Sequence, residues 1–588
     1  MGWPELSNGI KKMKVSDYII DFLVKEKVTH VFEVCGGALA HILDSLYGRS
    51  DIKTISVHHE QAAAIAAEGF ARVKGDIGVA LATSGPGATN LLTGIASCFF
   101  DSIPSVYITG QVNLNEFKHQ RPVRQIGFQE TDIVEIARPI VKDAIFVTNP
   151  QKIRYALEKA FFLARSGRPG PVLLDIPMDI QRSECSSNKM EPYRPARKEK
   201  ATSGILKKDI KRIVAKLNRA SKPVILVGGG VILSHAQKAL SNFISRHKIP
   251  VVSSLLGLDC LKNRNDFVGM IGTYGNRYAN LTVANSDFLL CLGTRLDTRQ
   301  TGTMPLTFAK KAFKIHVDID PHELNNKVKV DVAIRADIKD FLSALEKQDI
   351  RLSSDKLFRW KKKINSLRNS YPSFLKSDHK PIDPNFFIHQ VSRFLSPHCV
   401  ITADIGQNQI WTAQSLALKA SQRFLTQGGM GTMGSSLPMA IGACFARAKK
   451  TVVAIMGDGG FQLNIQELQT IIHHRLPIKI ILLNNFCYGM VRQFQQQYFN
   501  SRYQSTLLGY SCPNFQKVVS AYGIPVYKLD KNAQTLNTLK SFFSLKGPAF
   551  LEVIIPQNTL VLPKLSVNKP IEEQDPALSL EELKSFFT

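Results

Sequence analysis

Asp458 stands between two glycines at the end of an apolar run, Thr451 to Met456, and Asn485 follows a second such run, Ile478 to Leu483. A carboxylate and an amide oxygen suit a hard cation such as Mg²⁺, and so small a protein ligand set leaves positions open for phosphate oxygens and water. Gly457, Gly459 and Gly460 let the main chain approach a bulky anion closely, and the start of the helix that follows offers free N–H groups to the same anion. A second carboxylate, Glu60, follows the strand-like run Ile52 to Val57 and opens an alanine-rich helical segment, Gln61 to Val73. Its carboxylate faces that strand's carboxyl end, where an isolated glutamate would do no more than favour the helix dipole.

These residues need a scaffold, and the apolar pattern supplies one. Between Asp458 and Asn485 the spacing of Ile465, Leu468 and Ile472 predicts a helix over roughly Asn464 to His474, stopped by Pro477. Strand, loop, helix and strand make the βαβ unit of a parallel sheet, whose ligands sit at the carboxyl ends of the strands. The same alternation runs from residue 14 to about 182. It includes an amphipathic helix over Val15 to Lys25, a strand over His30 to Val34 that ends in Cys35-Gly36-Gly37, and a strand over Ile77 to Ala82 that enters the turn Thr83-Ser84-Gly85-Pro86-Gly87. A second α/β unit opens at Pro223 with VILVGGG, and a third spans about Pro384 to Pro556. The predicted fold class is α/β with three doubly wound parallel-sheet domains. They cover residues 1–182, 204–345 and 384–556, joined by polar linkers at 183–203 and 346–383, and a tail at 557–588 ends in a helix-like SLEELKSFF.

The nine cysteines among 588 residues are scattered, with no CxxC pair, which points to a reducing, cytoplasmic setting. No signal pattern opens the chain and no apolar stretch has spanning length, so neither export nor a membrane is expected. The formal net charge is +27. The basic residues are dispersed and no aromatic-interleaved basic motif occurs, so the expectation is a solvated basic surface that favours anionic substrates, without nucleic-acid binding.

Twenty-four residues separate Gly-Asp-Gly from Asn-Asn, a spacing that resembles the thiamine-diphosphate (ThDP) fingerprint. HHEQAAAIAAEGFAR at Glu60 and ATSGPGATNLLTGIASCFFDSIP from Ala82 resemble the acetohydroxyacid synthase family, and the likeness covers most of the chain. By that resemblance Asp458, Asn485 and the main-chain carbonyl of Cys487 hold Mg²⁺, which holds the diphosphate. Gln407 and Asn408 lie at the phosphates, Gly431, Met433 and Met490 support the cofactor, and Gly36, Gly37 and Thr83 shape its pyrimidine end. Glu60 meets N1′ of the aminopyrimidine, where a shared proton turns the exocyclic amine into a local base. Phe128 and Gln129 line the entry of the second ketone, and Arg299 meets its carboxylate as a guanidinium fork can. Stretches of the middle domain resemble the family's FAD-binding domain, which implies FAD contacts from Gly229, Gly293, Arg295, Asp318 and Asp337. FAD has no redox duty in the family's reaction.

The implied activity joins pyruvate, after loss of CO₂, to a second 2-keto acid, giving 2-acetolactate or a related acid in the manner of branched-chain amino-acid biosynthesis. The implied assembly is a homodimer or homotetramer in which Glu60 of one copy and Asp458 of another share a cofactor, with a regulatory small subunit as a further partner. Several positions depart from the family pattern: Cys35 for Pro, Met178 for Lys, Tyr274 and Asn408 for His, and Phe494 for Trp. Most surround the acceptor, and EFKHQRPVRQIGFQETDIVEIA also looks like carboligases that extend a nucleotide-linked keto sugar. That is the alternative reading. A third is a cofactor-binding relic with a regulatory role, against which the intact Glu60, Asp458 and Asn485 argue.

Overall fold

The computed structural model describes residues 12–186, 189–195, 206–261, 265–374, 381–419 and 421–587. Three six-stranded parallel sheets carry the fold. The first contains β1 (His30–Glu33), β2 (Lys53–Ser56), β3 (Gly78–Ala82), β4 (Ser105–Gln111), β5 (Asp143–Phe146) and β6 (Pro171–Pro177), in the order β2-β1-β3-β4-β6-β5. Its inner strands β3, β4 and β6 are mostly apolar and are buried along their whole length, as strands covered by helices on either side must be. Helix α1 (Glu60–Lys74) follows β2, and α2 (Pro86–Asp101) follows β3.

The central sheet contains β7 (Pro223–Val227), β8 (Val251–Ser253), β9 (Phe267–Met270), β10 (Phe288–Leu292), β11 (Phe313–Asp318) and β12 (Val332–Arg335). Its order, β9-β8-β7-β10-β11-β12, is that of a dinucleotide-binding sheet, with the direction of winding reversing between β7 and β10. The segment 346–383, expected as a linker, instead contains α3 (Ser354–Ser370). Its N-cap is Ser353, whose side chain accepts from Lys356 N, and Trp360, Ile364 and Leu367 are buried at helical spacing. The intervening Lys361-Lys362-Lys363 masked that stripe; Lys361 pairs with Asp266 across the helix edge. Residues 375–380 of that segment lie outside the described residues, as do 187–188 and 196–203 of the other expected linker.

The third sheet contains β13 (Val400–Ala403), β14 (Arg423–Leu425), β15 (Val452–Gly457), β16 (Ile478–Asn484), β17 (Val526–Leu529) and β18 (Ala549–Ile554), in the order β14-β13-β15-β16-β18-β17. Counting strands along each segment, this is the winding of the first sheet again. Helix α4 (Gln407–Ser415) follows β13, α5 (Ser436–Ala446) precedes β15, α6 (Glu467–His473) lies between β15 and β16, and α7 (Gly489–Tyr498) follows β16. The helix expected over Asn464 to His474 is found as α6, and a short helix that was not expected, Asp458–Gln462, precedes it across a break. Asn464 explains the break, because its amide donates to the carbonyl of Gly434 and holds the chain in a turn.

Two compact units emerge from the packing: residues 1–197, 427–452 and 463–478 in one, and 198–426, 453–462 and 479–588 in the other. Within the first, α1 lies against α5 so closely that a Cβ on Gly442 would fall 1.8 Å from the Ala66 carbonyl oxygen, and one on Gly69 would fall 2.3 Å from that of Met439. Alanine and glycine are therefore required along this seam. Within the second, the tail is packed, not free. Ile571 is fully buried and Arg277 donates to the carbonyls of Gln574 (3.2 Å) and Pro576 (2.5 Å). Among the described residues no helix is long and apolar enough to cross a membrane.

Candidate active site

The carboxyl end of the third sheet gathers the residues that opened the sequence reading. Asp458 follows β15 and is 3% exposed. Its Oδ2 accepts from the Tyr510 hydroxyl at 2.8 Å, and the main-chain N–H groups of Gly459 and Cys487 also reach the carboxylate. Burial pushes its pKa up to about 6, against these hydrogen bonds. Asn485, after β16, donates through Nδ2 to Gln407 Oε1 at 2.8 Å, which leaves its amide oxygen for another partner. The chain then turns tightly. The Cys487 carbonyl accepts from Gly489 N (2.9 Å) across Tyr488, whose φ of −75° and ψ of 73° make an inverse γ-turn. A carbonyl has two lone pairs, so one remains.

The fit of a metal and diphosphate to this corner rests on what the main chain leaves open. Gly459 admits no Cβ, which would meet the Tyr488 ring at 2.3 Å, and Gly489 admits none beside Gln407. Among the described residues no group of three or more His, Cys, Asp or Glu side chains is placed to hold a metal ion. One carboxylate, one amide oxygen and one carbonyl suit a metal that takes its other ligands from phosphate and water. Gln407 is held beside Asn485. Its Nε2 already donates to Gln493 Oε1 (3.3 Å) and the Thr559 carbonyl (3.1 Å), and its oxygen orients Asn485. Asn408 likewise donates to the Asp404 carbonyl (2.7 Å) within its own helical turn, with its oxygen facing the Cα of Gly457. Met490 packs against the core of this sheet.

The carboxyl end of the first sheet collects the second group. Gly36 lies where a Cβ would be 2.4 Å from that of Thr83, and the Thr83 hydroxyl accepts from Ala38 N at 3.2 Å. This contact joins β1 to β3, where the winding of the sheet reverses. Gly37 has open space beside it. Glu60 is buried at the start of α1, its Oε2 accepting from Asn90 Nδ2 (2.9 Å) and its Oε1 beside Gly87. Gln129 has φ +63° and packs on Gly85, itself at φ +64°. Phe128 is 87% exposed. Gly431 takes φ +74°, and Met433 beyond it is half-buried.

Sequence reasoning missed the groups that brace these residues. Asp175, fully buried at the end of β6, accepts from Thr109 (2.7 Å) and Gln111 (2.9 Å), and Gln111 donates to the Thr131 carbonyl beside Gln129. Burial pushes the Asp175 pKa up to about 7. Glu467 at the start of α6 accepts from His58 N (3.0 Å) and the Thr470 hydroxyl (2.7 Å), and burial raises its pKa to about 7 as well. A carboxylate inside the apolar run PVLLDIP was a readable signal for Asp175. Tyr510 and Gln493 carried none.

In the central sheet Gly229, Gly293 and Asp318 stand at the carboxyl ends of β7, β10 and β11, and Asp337 caps the helix after β12 by accepting from Lys339 N. A Cβ on Gly228 would fall 2.2 Å from the Gly293 carbonyl oxygen, so the two turns touch at the reversal point between β7 and β10. Arg295 pairs with Asp297 at 3.1 Å. Arg299 reaches Gln409 Oε1 at 3.4 Å. This edge is glycine-lined, as in dinucleotide-binding sheets.

Comparison with known proteins bears directly on this arrangement. The family described as "Thiamine pyrophosphate enzyme" matches in three parts: its N-terminal TPP binding domain over residues 13–136, its central domain over 210–345 and its C-terminal TPP binding domain over 404–553. The acetolactate synthase large subunit of Porphyra purpurea is 36% identical over 94% of this chain and 93% of its own length. The isozyme 2 large subunit of Escherichia coli K12 is 37% identical over 94% and 97%, and the chloroplastic acetolactate synthase 2 of Nicotiana tabacum is 38% identical over 94% and 83%. The chain belongs to the acetolactate synthase family of ThDP-dependent enzymes. Both TPP binding domains are present, and each ends its strands at one of the two clusters described above.

Proposed function

We infer that this chain decarboxylates pyruvate and transfers the remaining two-carbon acetyl unit to a second 2-keto acid, giving 2-acetolactate or its homologue. The observation that carries the reading is the corner formed by Asp458, Asn485 and the Cys487 carbonyl, set in a chain similar to acetolactate synthases along 94% of its length. ThDP supplies the electron sink for loss of CO₂. The chain's own residues supply the rest. Asp458 and Asn485 hold Mg²⁺ with the Cys487 carbonyl, and Gln407 acts on the diphosphate indirectly, by fixing the Asn485 amide. Glu60, oriented by Asn90, holds a proton at the pyrimidine nitrogen. Gln129 donates to the oxygen on which negative charge develops during carbon–carbon bond formation. Arg299 takes the acceptor's carboxylate, and FAD lies as a structural group along the glycine-lined edge of the central sheet.

The names of the algal and E. coli relatives call them large subunits, which supports a separate regulatory subunit here. None of the nine cysteines is joined in a disulfide, in keeping with a reducing compartment, either cytoplasm or the plastid interior that the tobacco name gives. A product panel tests the reading. Pyruvate alone, pyruvate with 2-ketobutyrate, and pyruvate with a nucleotide-linked keto sugar are each supplied with ThDP and Mg²⁺. Products from the first two mixtures support it; pyruvate consumption only in the third selects the keto-sugar carboligase.

A further inference from the structure

Away from both clusters, the first compact unit contains a pocket of about 790 Å³ between the edge strand β2, the far end of α1 and the chain after α5. Its floor is a set of rings. His30 lies 5.4 Å from both Phe70 and Phe445, and Phe445 meets His474 edge-on at 5.3 Å. Phe70 and Phe445 are buried, and the two imidazoles are half-buried. Its rim carries the exposed ammonium groups of Lys53, Lys74 and Lys449. None of the three has a carboxylate partner among the described residues; Lys449 donates to the His474 carbonyl. Asp51, the acidic residue of the lining, is committed to Arg49 by two hydrogen bonds at 2.9 and 2.8 Å, and Arg49 is shared with Asp21. The pocket therefore holds about three uncompensated positive charges over an aromatic floor. Burial and the neighbouring lysines push His30 down to about 4, and burial, His473 and Lys449 do the same to His474, so both rings are neutral stacking surfaces at pH 7. Among the described residues β2 has no strand partner on its outer side, so part of its main chain faces away from the sheet's ladder.

We propose that this pocket binds a nucleoside diphosphate or triphosphate, with the base against the half-buried imidazoles of His30 and His474, which Phe70 and Phe445 back from beneath, and the phosphates between Lys53, Lys74 and Lys449. Pocket size is ample for such a ligand. Neither half of the pocket accounts for the other: an inorganic anion has no use for the floor, and an uncharged aromatic has none for the rim. Helix α1 carries Phe70 and Lys74 near one end and Glu60 at the other, about 20 Å away at 1.5 Å per residue. The site is thus separate from the residues assigned to catalysis.

The test is calorimetric titration of the full-length holoenzyme, saturated with ThDP, Mg²⁺ and FAD, using ADP, inorganic pyrophosphate and adenosine as probes. ADP should bind one per chain, and pyrophosphate and adenosine should each bind at least tenfold more weakly. The triple variant Lys53→Glu, Lys74→Glu, Lys449→Glu should lose at least tenfold in ADP affinity, since charge-assisted contacts of this kind are each worth about that factor. All three side chains are exposed, so the fold should tolerate the change and turnover without nucleotide should be unaltered. Lys53→Glu alone serves as a milder second variant with a smaller loss in the same direction. Absence of ADP binding, or unchanged ADP affinity in both variants, overturns the proposal. Pyrophosphate binding as tight as ADP overturns the role of the rings.

Discussion

Gly489→Ala gives a stringent prediction about the metal corner. Gly489 is the first residue of α7, where alanine should favour the helix if nothing else were nearby. The added Cβ, however, would sit 1.9 Å from Gln407 Oε1 and 2.6 Å from Asn485 Nδ2. Ordinary contact needs about 3.5 Å, so the Gln407 amide must retreat and the 2.8 Å bond that orients Asn485 is lost. Removing such a partner of a metal ligand typically costs 10–100-fold in metal affinity, about 1.4–2.8 kcal/mol. The assay is 2-acetolactate formation at saturating pyruvate and ThDP with Mg²⁺ titrated, alongside circular dichroism to confirm the fold. The half-saturating Mg²⁺ concentration should rise by that factor. Gln407→Ala should produce a similar rise. The double variant should add little, because both changes remove one and the same hydrogen bond. An unchanged Mg²⁺ requirement in a folded Gly489→Ala protein, or fully additive effects, would refute the reasoning.

Other perturbations follow from the same geometry. Glu60→Gln should lower turnover about 10²–10⁴-fold while the protein still binds ThDP, measured by equilibrium binding and CO₂ release; near-normal turnover would remove Glu60 from the proton path. If Glu60 and Asp458 of different copies share a cofactor, mixing inactive Glu60→Gln and Asp458→Ala proteins under subunit exchange should restore partial activity, and no recovery despite exchange would count against a shared site. Glu467 has a raised folded pKa of about 7 against an ordinary 4.5, so the folded state binds more protons across that window. Its contribution to stability is greatest at low pH and is lost as pH rises from about 4.5 to 7. Glu467→Gln should therefore match the parent in thermal melts at about pH 4 and be the more stable at pH 8, by up to about 3 kcal/mol; parallel melting curves for the two proteins would contradict this.

What the sequence revealed and what it hid follow from the range of the interactions involved. Strands such as β15 and β16 are apolar on both faces because helices cover them, and that leaves a continuous run in the sequence. The positions of Asp458 and Asn485 were legible for the same reason, since each comes just after such a run, whereas Glu60 follows the half-exposed edge strand β2 and stood out by the motif around it. The break between Asp458–Gln462 and α6 was not legible, since it depends on Asn464 reaching Gly434, thirty residues away. The buried stripe of α3 was diluted by its lysines, so a packed helix read as a linker. Tyr510 lies 52 residues beyond Asp458 and Gln407 lies 78 before Asn485. No local pattern encodes either contact, and that Gln407 donates to Gln493 and Thr559 could come only from the folded structure.

The most direct measurement is the carbon balance with labelled pyruvate. Purified protein supplied with ThDP, Mg²⁺ and FAD should release one CO₂ and form one 2-acetolactate for every two pyruvate molecules consumed. Release of CO₂ with only acetaldehyde as the organic product, or no CO₂ from any 2-keto acid, would contradict the account.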